Sequence, residues 1–60
     1  MTLAQELIIT IRNANNNWFA ASKRGDDKSM RQNSDKIDAA TNQLKALGYS
    51  LEEIWKAVEA

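Results

Sequence analysis

Sixty residues, with eight Lys and Arg against eight Asp and Glu, make one small domain of zero formal net charge. A chain of that size buries only about 60% of its unfolded surface, so its stability is marginal without a staple or a partner. The absence of cysteine and histidine removes disulfides, thiolate chemistry, the commonest metal ligand and the usual base near neutral pH.

The charge balance argues against a strongly basic nucleic-acid binder. No run approaches the ~20 apolar residues of a membrane span. The opening "MTLAQELIITIR" has Glu6 inside its apolar stretch and no basic n-region, unlike a secretory signal. The expectation is a cytoplasmic protein with no membrane, metal or cofactor site. Proline is absent, and the two glycines, Gly25 and Gly48, divide the chain most simply into three helices.

Helix 1 is predicted over about residues 3–24. "TLAQ" is a capping-box pattern in which Thr2 accepts from the third helical amide while Gln5 reaches back. Glu6 near the start and Lys23 and Arg24 at the end suit the helix dipole. Gly25 can take the left-handed conformation that closes a helix. In 100° steps, Leu3, Leu7, Ile11, Ala14, Trp18 and Ala21 share one arc, which Ile8 and Phe19 widen.

Helix 2 is predicted over about residues 27–47. Asp26, Asp27, and Ser29 with Gln32 compete as its N-cap. Met30, Ile37 and Leu44 repeat every seven residues, with Ala40 and Leu47 alongside, a seam suited to shallow-angle packing. Helix 3, about residues 51–59, starts with a second capping box, Ser50 to Glu53, and a hydrophobic staple between Tyr49 and Ile54. Leu51, Ile54, Trp55 and Val58 give it a one-sided apolar stripe.

The fold class is therefore all-α: an antiparallel helical hairpin with a short C-terminal third helix. A hairpin dimer forming a four-helix-type bundle is the most economical assembly. The segment "LKALGYSLEEIWKAVEA", residues 44–60, resembles the first two helices of ubiquitin-associated-type domains, with their Leu-Gly-aromatic turn. The resemblance implies only a local helix–turn–helix, and no function is carried over from it.

Two asparagines fall on apolar faces, Asn15 on helix 1 and Asn33 on helix 2. Buried seam asparagines commonly fix register or oligomer state. Asn33 is expected roughly across from Trp18, where it can accept from the indole N–H. Asn13, Asn16 and Asn17 are expected to face outward. The three read first as a neutral solvated face; the alternative is a contact surface in which they form a polar rim around Ile9. The wide apolar arc near Trp18 and Phe19 exceeds what a short third helix covers, which points to self-association or a protein partner. The expected partner face combines Ile9, Arg12, Asn13, Asn16, Trp18, Phe19 and Lys23.

Residues 12–36 hold six basic and three acidic side chains, whereas residues 37–60 hold two basic and four acidic. Lys23, Arg24, Lys28 and Arg31 gather at the first turn, the contact set for an alternative reading as a nucleic-acid binder. Asp27, Arg31 and Asp35 have the spacing of a surface ion-pair ladder. No phosphate-binding loop, metal-ligand cluster or nucleophile–base constellation is present in the sequence, so no catalytic residue is assigned and an enzyme is not expected.

The preferred function is a small non-catalytic protein-interaction module: a regulator, inhibitor or adaptor that binds a partner protein or itself. Its size fits phage and mobile-element products. A structural subunit of a larger assembly is the third reading.

Overall fold

The structure, a computed structural model, describes all 60 residues. It is 85% helical and contains no strand. Helix α1 spans Leu3–Arg24, α2 spans Asp27–Ala46 and α3 spans Leu51–Glu59. The first two lie packed along each other as an antiparallel hairpin, and α3 folds back against both. The molecule measures 35 × 21 × 20 Å, so its long axis is that of α1, whose 22 residues rise about 33 Å.

Capping chemistry sets the boundaries. The Thr2 hydroxyl accepts from the Gln5 amide at 3.2 Å, and the Gln5 side chain accepts from the Thr2 amide at 2.8 Å. Gly25, at φ 69°, ends α1 while the Gly25 amide donates to Ser22 and the Asp26 amide donates to Ala21. Among the competing caps of α2, Asp26 is the one used, its carboxylate accepting from the Ser29 amide at 3.1 Å.

The end of α2 repeats the glycine solution. Leu47 is its C-cap and Gly48 follows at φ 102°. The amides of Gly48 and Tyr49 donate back to Lys45 and Leu44, the pairing of a Schellman motif. Ser50 and Glu53 then close the second capping box, at 3.0 and 3.1 Å.

The core comprises Leu7 and Ile11 of α1, Ala40 and Leu44 of α2, and Ile54 and Val58 of α3. One large side chain per helix, Ile11, Leu44 and Ile54, is fully buried. Ala4, Ile8, Ile37 and Trp55 pack around this cluster. It occupies the half of the hairpin that α3 covers. The turn half is closed instead by small or polar residues: Ala14, Ala21 and Asn33 are buried there.

Three leucines expected on inward faces are about half exposed: Leu3, Leu47 and Leu51. They stand at the start of α1, the end of α2 and the start of α3, which the topology gathers at one end of the bundle. Helical phase points them inward, but each lies where the neighbouring helices have run out. The ladder Asp27, Arg31, Asp35 does not form either. The single ion pair is Arg24 with Asp26 at 3.7 Å, because exposed pairs gain little for the side-chain freedom they give up.

Candidate functional site

The principal concavity is an open groove of about 920 Å³ between α1 and α3. Its α1 wall carries Met1, Gln5, Ile8, Ile9 and Arg12; the opposite wall carries Tyr49, Glu53 and Ala57; Leu44 and Ile54 form the floor. The two helices lie side by side, and each contributes a small residue to the lining, Ala4 and Ala57. Met1, Ile9 and Tyr49 keep more than a third of their surface in solvent, so the lining is apolar and accessible.

Arg12 closes one end of this groove. Its Nε donates to the Val58 carbonyl at 3.1 Å and its Nη2 to the Ala57 carbonyl at 3.0 Å. The last carbonyls of a helix have no partner within it, and the dipole makes that end favourable for a cation. Arg12, expected on the partner face, has a half-buried side chain whose Nε and Nη2 dock α3. The available signal was length: nine residues of α3 rise about 13 Å, which ends alongside residue 12 when the helix starts beside residue 3.

At the other end of the groove the Glu53 carboxylate is held below the usual carboxylate range by the Ser50 amide it accepts from. Asp26 is likewise lowered, first by the Ser29 amide and then by the Ser29 side chain and Arg24. Both carboxylates serve as helix caps.

The remaining expected residues separate into groups. Ile9 stands on the groove with Arg12. Asn13 and Asn17 are exposed, as expected, and with Thr10, Ala14, Asn33 and Lys36 they line a shallow cleft of about 190 Å³ between α1 and α2. Asn16 and Lys23 are exposed. Trp18 is half-buried and Phe19 is 55% exposed. Their rings meet edge to face at 5.4 Å and 90°. Both lie beyond the end of α3, as expected of a helix that reaches only residue 12.

Asn33 and Trp18 are not hydrogen-bonded. The Asn33 amide instead donates to the Ser29 carbonyl one turn earlier, at 2.8 Å, because a short polar side chain inside a helix finds its own backbone first. Asn15 is half-buried and forms none of the side-chain hydrogen bonds of the fold. The buried Thr41 hydroxyl has no partner, a feature that periodicity did not reveal. Lys23, Arg24, Lys28 and Arg31 are all exposed around the turn, with Arg24 shared with Asp26.

No helix is long and apolar enough to cross a membrane. No protein-family model, curated protein or solved structure matches the chain.

Proposed function

We propose that this chain is a small, non-catalytic protein-interaction module, a regulator, inhibitor or adaptor, acting in the cytoplasm. The observation that carries the reading is the apolar groove between α1 and α3, open to solvent and continued along α1 by the exposed Phe19. A channel between two packed helices has the shape for a third helix, whose anchors at every third or fourth residue fill it. Small exposed apolar areas are ordinary on a protein surface; a lined groove with a polar rim of Gln5, Glu53 and Arg12 has the make-up of an interface.

Site-specific photo-crosslinking in the native host tests this. A benzophenone side chain at Ile9 is expected to capture a polypeptide, and one at Gln32, on the polar face of α2, to capture none above background. Capture of nucleic acid alone, or equal capture from both positions, overturns the reading.

A further inference from the structure

The exposed outer stripe of α1 has a symmetry of its own. Gln5, Ile9, Arg12, Asn16, Phe19 and Lys23 follow one another at alternating steps of four and three residues, the spacing of a helix–helix seam. None of the six is buried, and all but Arg12 are exposed. Read backwards about position 14, the order pairs Gln5 with Lys23, Ile9 with Phe19, and Arg12 with Asn16. Polar meets polar and apolar meets apolar.

We propose that the occupant of this face is a second copy of the chain, lying antiparallel along α1. This rests on the reading of the face as an interaction surface and names its partner. Each Phe19 enters the groove of the other copy beside Ile9 and Tyr49. Each Asn16 lies over the other copy's Arg12, whose guanidinium is already fixed by the Ala57 and Val58 carbonyls and retains Nη1 to donate.

Charge favours the same arrangement. The turn end, rich in Lys23, Arg24, Lys28 and Arg31, comes to rest over the end that carries Glu6, Glu52 and Glu53. A parallel pair stacks like ends together. The two-fold operation closes the assembly, since the same patch serves both copies.

The stripe from Gln5 to Lys23 is about 27 Å long. One helix width of that length falls short of the ~1,000 Å² of a stable interface. The dimer is therefore concentration-dependent, with half-dissociation on the order of 10–500 µM.

Sedimentation equilibrium from roughly 10 µM to 1 mM, at low and high salt, tests the proposal. The mass is expected to rise from the 6.8 kDa monomer toward twice that value. Phe19→Asp, at a site exposed enough to leave the fold intact, is expected to keep the chain monomeric throughout. Gln5→Glu retains the capping box and sets a carboxylate opposite Lys23. It is expected to tighten the dimer about twofold to fivefold, and salt is expected to erase the gain.

In a parallel pair Gln5 faces its own counterpart, so weakening by Gln5→Glu overturns the proposed orientation. A monomer at every concentration, or a Phe19→Asp chain that dimerises like the parent, overturns the proposal. A monomer that still crosslinks another polypeptide from Ile9 leaves the interaction-module reading standing. Failure of both experiments removes both.

Discussion

Arg12 holds the last turn of α3 from across the chain, with its Nε on the carbonyl of Val58, 46 positions further along, at 3.1 Å. The second bond, to Ala57, makes the contact a fork. A nine-residue helix is too short to stand alone, so α3 depends on Ile54, Val58 and this clamp. Since α3 forms one wall of the groove, Arg12 also helps to hold that wall in place.

Arg12→Ala is expected to destabilise the chain by about 1–2 kcal/mol, the range for a part-exposed charged donor whose acceptors can turn to water. Hydrogen exchange is expected to speed up at the α3 amides, with the amides at the middle of α2 little changed. Arg12→Lys is not expected to restore protection, because an ammonium cannot reproduce the planar fork. Unchanged α3 exchange in Arg12→Ala would show the clamp to be dispensable.

Thr41→Val is expected to stabilise the fold. The Thr41 hydroxyl is buried without a partner, and an unsatisfied buried group costs about 1–3 kcal/mol relative to an apolar one of the same shape. A rise in Tm followed by circular dichroism checks this, and a fall would mean that the hydroxyl has a partner in solution.

The helices were legible in the sequence because their ends are local chemistry. Thr2 with Gln5, Gly25, and Ser50 with Glu53 each act within four residues, and all occur as expected. The core was nearly as legible, since Leu7, Ile11, Leu44, Ile54 and Val58 follow from phase alone. Phase does not show where a neighbour stops, so it points Leu3, Leu47 and Leu51 inward although they stand about half exposed. Nor could it show Arg12 reaching α3 or Asn33 turning back to Ser29. Those depend on side-chain reach and on helix register, which periodicity leaves open.

Acid should loosen two helix starts. Asp26 and Glu53 have folded pKa values below their ordinary ones because each accepts a backbone amide. Their contribution is therefore present above the unfolded carboxylate range, near pH 4, and is lost as pH falls through the lower folded values. Tm is expected to be flat from pH 7 to about pH 5 and to decline below pH 4. The double variant Asp26→Asn with Glu53→Gln keeps neutral caps and is expected to show a shallower decline. An equally steep acid limb in that variant would place the acid sensitivity elsewhere.

Gly48→Ala is expected to cost about 1 kcal/mol or more, since an added Cβ meets open space but must sit at φ 102°, a conformation that L residues adopt at a penalty. Thermal melts of this variant beside the parent check the size, and parity between them would mean that the α2–α3 turn rearranges freely.

The pairing of α1 with a second copy is tested most directly by disulfide trapping, which the cysteine-free chain makes simple. Ile9→Cys and Phe19→Cys are prepared separately, then oxidised alone and as a mixture. In the antiparallel arrangement one position 9 faces the other copy's position 19, while the two positions 9 stand about 15 Å apart, beyond the ~7 Å that a disulfide spans. The mixed pair also retains one intact contact between Ile9 and Phe19. The expected result is a covalent dimer in the mixture and almost none in either variant alone. As much dimer in either single variant as in the mixture, or none above an exposed Gln32→Cys control, would contradict the proposed interface.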